Sequence, residues 1–278
     1  WESKQTENCD YEDCTILYRT NSQSRSFEES LRKLNIPYKI YGGLSFYQRK
    51  EIKDILAYFR LSANLSDEES LKRIINYPKR GIGKTTIENL VVAANHYEVS
   101  IWEIISNIGQ YQLKLSSGVI NKLNQFVTMI QSFHVRIESE EAYTLAQEIA
   151  SSTGVLKDLY DDKSPEGVAR YENIEELLAG IKEFSESEGT DEKKMNLADF
   201  MMDVALLTDA DQEKEEDKNK VTLMTVHASK GLEFPYVFIV GMEENLFPSQ
   251  LSLNSRSELE EERRLFYVAV TRAEKQAF

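Results

Sequence analysis

The run Tyr236–Val240 (YVFIV) contains no charged side chain and only one hydroxyl, so a strand built from it carries apolar groups on both faces. Such a strand is stable inside a parallel sheet covered by helices on either side. Val221–Val226 (VTLMTV) is a second β-rich stretch, and Glu258–Ala273 reads as a long closing helix. The beginning of the chain carries matching pieces. Thr15–Tyr18 (TILY) and Tyr38–Tyr41 (YKIY) are short strands. Between them Ser26–Leu34 has helical spacing, with Phe27, Leu31 and Leu34 on one face and Pro37 ending the pattern. Arg49–Leu61 repeats Ile52, Ile55, Leu56 and Phe59 at helical steps.

Between these α/β pieces the pattern is helical, broken by polar stretches at Asn64–Glu69, Ser116–Gly118, Lys163–Gly167 and Ser185–Lys194. Asp209–Asn219 (DADQEKEEDKN) has no apolar face and reads as an exposed linker. Each α/β piece is short alone, which favours their pairing in one sheet. The expected organisation is therefore an α/β domain, residues 1–61 and 219–278, interrupted by a mainly α-helical insertion, residues 62–218.

A chain of 278 residues accommodates two ordinary domains. No apolar run approaches the roughly 20 residues that span a bilayer, and no membrane partner is expected. No signal peptide opens the chain, which starts Trp1-Glu2-Ser3-Lys4 and reads as a piece of a longer protein. Cys9 and Cys14 lack companions for a zinc site, so no metal site is expected and reduced thiols in a cytoplasmic protein are. The net charge of −14 argues against nucleic acid as a whole. Locally the balance reverses: Thr15–Leu61 holds nine Lys/Arg against four Asp/Glu, and Leu71–Lys84 holds five basic residues and no acid. A polyanion responds to the local field.

Gly81-Ile82-Gly83-Lys84-Thr85 imitates a nucleotide P-loop. That loop requires a further glycine five residues before its Gly-Lys pair. Pro78 stands there, with a fixed φ and no N–H. Helix, Gly-x-Gly turn, helix is the better reading. Such a turn presents backbone N–H groups to a duplex phosphate, with Lys79, Arg80 and Lys84 adding charge. A plain connecting turn with solvated lysines is the alternative.

Two segments are more specific. His227-Ala-Ser-Lys-Gly-Leu-Glu-Phe234 after a strand resembles motif V of superfamily 1 helicases, and Glu262-Arg-Arg-Leu-Phe-Tyr-Val-Ala-Val-Thr-Arg-Ala-Glu274 resembles motif VI. Leu17-Tyr-Arg-Thr-Asn21 with Ser24-Arg25, and Tyr41-Gly-Gly-Leu-Ser-Phe-Tyr-Gln-Arg-Lys-Glu-Ile-Lys-Asp54, match further blocks of the PcrA/UvrD/Rep group, in family order. The chain is thereby identified as a member of that group, its PcrA-type branch first.

The resemblance implies a RecA-like parallel-sheet domain (2A) interrupted by a helical inserted domain (2B), together the C-terminal half of an ATP-dependent 3′–5′ DNA helicase. It implies that Arg272 is the arginine finger reaching the γ-phosphate, and that Glu233 and Gly231 meet the nucleotide. It further implies that Thr225, His227 and Lys230 couple nucleotide state to single-stranded DNA. Arg49 is a candidate phosphate contact, with an ion pair to Glu51 or Asp54 as the alternative. Asn245–Ser249 is a candidate DNA-touching loop. Arg263 and Arg264 have glutamates three or four residues back, whereas Arg272 has no acidic helical neighbour. The first domain's P-loop lysine and acidic pair are not found in this sequence. ATP and Mg²⁺ are therefore expected in the full-length protein, none bound to this piece alone, with the N-terminal helicase domains and DNA as partners. A stand-alone DNA- or partner-binding module keeping the fold, or a helicase–nuclease relative, are the other readings.

Overall fold

The computed structural model describes residues 9–188, 195–209, 219–249, 252–253 and 255–278. The chain forms two compact units, Trp1–Arg49 with Leu207–Phe278, and Lys50–Leu206.

The first unit is an α/β layer around five parallel strands: β1 (Cys14–Tyr18), β2 (Tyr38–Ile40), β3 (Val221–Thr225), β4 (Phe234–Ile239) and β5 (Ala273–Ala277), in spatial order β2-β3-β1-β4-β5. β1 occupies the centre, with Leu17 opposite Met224 on one side and Ile239 on the other. The apolar runs earn this position by filling both faces. Leu17, Met224, Val226 and Val237 pack with Phe247, Leu265 and Ala269 in one cluster. Tyr18, Val221 and Leu223 pack with Phe27, Leu31, Ile36 and Tyr38 in another. Fully burying a side chain such as Leu17 or Leu223 contributes about 1.5–3 kcal/mol.

Helix α1 (Ser24–Lys33) links β1 to β2. Phe27 and Leu31 face the sheet as expected, but Leu34 is 62% exposed, because the helix has ended and Asn35 takes a left-handed backbone conformation. The closing helix, Arg256–Val270, is shorter at its C-terminus than its pattern suggests. Thr271 ends it, and Ala273–Ala277 becomes edge strand β5. Its sequence, AEKQA, has no apolar alternation because an edge strand with a solvated face does not require one.

The second unit is helical. Lys50–Ala63 is its most buried element, with Ile52, Ile55 and Phe59 wholly inside. It opens the compact helical unit. Glu68–Ile74, Lys84–Tyr97, Ile101–Ser106, Ser117–His134, Ala142–Ser152, Val155–Asp161 and Pro165–Glu188 follow, then Leu197–Asp209, whose last residues cross the division between units. Several starts are capped by side chains accepting a backbone N–H: Asp67 from Ser70 at 3.0 Å, Ser100 from Glu103 at 3.1 Å, Ser116 from Val119 at 3.4 Å. Most of the stretch read as a linker, residues 210–218, lies outside the described residues. Among the described residues no helix is long and apolar enough to cross a membrane.

Candidate functional site

In an open parallel sheet, ligands gather at the carboxyl ends of the strands. At that edge β3 runs out at Thr225 and the chain coils tightly to Leu232. Thr225 Oγ1 accepts from Ala228 N at 3.2 Å, Ser229 N donates to Thr225 O at 3.2 Å, and Ser229 Oγ donates to Val226 O at 2.8 Å. Val226 and Ser229 are buried, which turns His227, Lys230, Gly231 and Glu233 outward. Gly231 has φ +88° with open space around it, so conformation rather than crowding calls for glycine there.

Arg272 approaches this turn from the end of the closing helix. Its Nε donates to Val268 O at 3.1 Å, one terminal nitrogen to Leu232 O at 2.8 Å, and the other to Thr271 Oγ1 at 3.1 Å. Its backbone carbonyl accepts from Phe234 N at 2.9 Å. Leu232 and Phe234 are therefore both tied to Arg272, and Glu233 lies between them. Among the described residues Arg272 has no acidic partner; its acceptors are two carbonyls and a hydroxyl, which orient the guanidinium without neutralising it. Of its five N–H donors three are engaged among the described residues.

A third segment closes the edge. Arg19, following β1, donates from Nε to Glu262 at 2.9 and 3.1 Å and from a terminal nitrogen at 2.7 Å. Glu262 is 5% exposed and also accepts from Ser249 N at 3.4 Å. The pair joins the Leu17–Asn21 block to the closing helix across most of the chain. Both lie in blocks singled out in the sequence, but neither is given a role of its own there. The available signal was that Glu262 shares a helical face with Leu265 and Ala269, the two buried apolar residues of that helix. Arg263 and Arg264, by contrast, form exposed ion pairs with Glu260 at 2.7 Å and Glu261 at 3.1 Å.

His227 belongs to the same electrostatic neighbourhood. Partial desolvation of the outward-facing ring pushes its imidazole below the ordinary value, the Arg19 charge adds to that, and Glu262 and Glu261 oppose it. The folded chain thus favours neutral His227, so stability is full above the unfolded-state value and is lost as pH falls from there through the lower folded-state value. An NMR titration is expected to place the His227 midpoint below that of an unstructured peptide, and Arg19→Ala to raise it. A wild-type midpoint at or above the peptide's contradicts this.

The loop after β4 is held by its centre. Phe247 is buried, Asn245 has φ +71° and bridges to Ser249, and Leu246 stays 42% exposed.

Arg49 does not face outward. It is 8% exposed, donates to Ser24 Oγ at 2.6 Å and lies over the Phe46 ring at 5.1 Å. Through these contacts it fastens the Gly-Gly block to α1.

The Gly-x-Gly turn of the helical unit has its own construction. Asn76 Oδ1 accepts from the backbone of Arg80 and Ile82, both at 3.0 Å, and Ile82 is wholly buried. Gly81 takes φ +73°, and Gly83 immediately precedes the Lys84–Tyr97 helix, in open surroundings. Lys79 and Lys84 are exposed, and Lys122 brings its ammonium 3.4 Å from Gly81 O from a different helix. Arg80 turns inward. Its guanidinium donates to the carbonyls of Tyr77 at 2.7 Å, Ile74 at 3.0 Å and Thr153 at 3.2 Å, and to Tyr58 Oη at 2.6 Å. It also lies over the Tyr58 and Phe126 rings. Arg80 thus helps to build the turn, while Lys79, Gly81, Gly83 and Lys84 lie on the surface.

Among the described residues no cluster of His, Cys, Asp or Glu is arranged to hold a metal ion.

The model of the UvrD-like helicase C-terminal domain matches residues 2–278. The ATP-dependent DNA helicase PcrA of Bacillus subtilis strain 168 is 43% identical over 271 residues, 96% of this chain and 36% of that protein. The proteins of the same name from Staphylococcus epidermidis RP62A and Staphylococcus aureus Mu50 are each 42% identical over 266 residues, 95% of this chain and 36% of theirs. The chain spans little more than a third of the length of these relatives.

Proposed function

Since the chain belongs to the family of UvrD-like helicase C-terminal domains, we propose that it is the C-terminal motor half of an ATP-dependent DNA helicase or translocase. The carrying observation is the carbonyl-held guanidinium of Arg272, positioned beside the segment that carries Glu233. Arg272 would act as the arginine finger, placing a fixed positive charge against the phosphoryl group in transfer. Glu233 would accept hydrogen bonds from the nucleotide sugar, and Gly231 would let the backbone come close. The phosphate-cradling lysine and the Mg²⁺ ligands would come from the N-terminal helicase domains.

In this reading the five-stranded unit takes the RecA-like 2A role and the helical unit the inserted 2B role. Thr225, His227 and Lys230 follow β3 and would lie along a single strand. Their connection to Arg272 runs through the turn, whose Leu232 carbonyl accepts from that arginine. The Gly81–Gly83 turn with Lys79 and Lys84 would dock a duplex backbone without reading its sequence. The 3′–5′ direction follows from the family likeness.

The chain alone is expected to show no DNA-stimulated ATP hydrolysis, and to restore it when mixed with separately produced N-terminal domains of the same helicase. Turnover by the isolated chain, or none in a mixture shown to associate, contradicts the proposal.

A further inference from the structure

We infer that the Tyr41–Ser45 tongue is a stacking step for unpaired nucleobases, with the Tyr41 ring as its platform and Leu44 beside it. This rests on the single-strand track proposed above and adds residues to it.

The tongue is fixed at both ends and exposed between them. At its start Tyr41 N donates to Leu223 O at 2.9 Å, extending the β2–β3 pairing by one bond. At its end Phe46 N donates to both carboxylate oxygens of Glu28, at 3.0 and 3.2 Å, and Glu28 is wholly buried. Glu28 also accepts from Ser24 Oγ at 2.7 Å, and Phe46 and Tyr47 are buried behind it. Between these anchors Tyr41 is 49% and Leu44 57% exposed. An anchored loop that keeps two large apolar side chains in water has already met the ordering cost of presenting them.

Position and charge select the occupant. A Cβ placed on Gly42 would stand 3.4 Å from Ala228 Cβ. The tongue therefore touches the turn that carries His227 and Lys230. From Tyr38 to Lys50 there is no acidic residue, and Lys39 is exposed. A polyanion with flat apolar faces suits this surface. Unpaired bases offer such faces, whereas in a duplex they are stacked on one another. Base–aromatic stacking tolerates any sequence, as a translocating motor requires.

The test measures binding of the 278-residue chain to a fluorescent single-stranded oligonucleotide across a salt series. Tyr41→Ala is expected to weaken binding ~5- to 100-fold with the salt slope unchanged, because no phosphate contact is lost. Tyr41→Phe should restore affinity, and Leu44→Ala should cost less than Tyr41→Ala. An abasic site moved along the strand should remove the difference between wild type and Tyr41→Ala at one register. Wild-type affinity in Tyr41→Ala overturns the inference and leaves the track standing. So does a loss that Tyr41→Phe shares, or one that no abasic position relieves. Failure of the wild-type chain to bind any single strand overturns the track and this step with it.

Discussion

Arg272→Ala is expected to lower DNA-stimulated ATP hydrolysis by about 10³-fold or more in the motor reconstituted with its N-terminal domains, on the order of 4 kcal/mol in the barrier. A guanidinium already held by the Val268 and Leu232 carbonyls stabilises charge developing on the phosphoryl group with little reorganisation at the moment of transfer. Lysine does not substitute. Two of the holding bonds come from different nitrogens of one planar group, and an ammonium cannot keep both while facing a phosphate. Arg272→Lys should therefore stay near the alanine variant, and both should retain single-strand binding. Hydrolysis within tenfold of wild type in a folded Arg272→Ala protein would sink the assignment.

The second large effect is on stability. Arg80→Ala is expected to destabilise the helical unit by about 3 kcal/mol or more, measured by urea unfolding followed by circular dichroism. The substitution strips a charged donor from the carbonyls of Ile74, Tyr77, Pro78 and Thr153 and from the Tyr58 hydroxyl, and opens space over two aromatic rings. Arg80→Lys should recover little, since an ammonium lacks the fork that reaches Ile74, Tyr77 and Thr153 together. Lys84→Ala on the same turn behaves oppositely. Its side chain is 91% exposed, so stability should move by less than about 0.5 kcal/mol, while duplex binding weakens and its salt slope falls by about one. The two variants separate the residue that builds the turn from the residue that uses it. An Arg80→Ala protein as stable as wild type would return Arg80 to the phosphate-binding surface.

These residues also show what the sequence could reveal. β1, β3 and β4 are legible because strands covered on both faces must be apolar throughout, and Lys50–Ala63 because its apolar positions repeat at helical steps. β5 is not legible, since a solvated edge leaves AEKQA free to be polar. Arg49 and Arg80 look like phosphate ligands because both are cations among cations. Arg49 donates to Ser24, which lies well upstream, and Arg80 to carbonyls as distant as Thr153. Residue type and local charge carry no record of such partners. The same blindness ran the other way at Arg272 and Arg19. The first has carbonyl acceptors that leave no acidic signature. The second has a buried carboxylate at the far end of the chain, hidden in a run of glutamates that are otherwise exposed or half-buried.

The order of the strands has a consequence for how such a chain is made. β3 lies between β1 and β2, yet it is synthesised long after both. Ile40 emerges from the ribosome about 180 residues before Val221, and translation at ~5–20 residues per second makes that roughly 10–40 s. During this interval the side of β1 meant for Val221–Thr225 has no partner, and β2 has no neighbour at all until the same strand arrives. The helical unit, complete in sequence by Leu206, can form while the sheet waits. The last strand-forming segments therefore act as a completion signal. Until the ribosome delivers them, the apolar strands at the beginning present unpaired edges on which a wrong strand could pair.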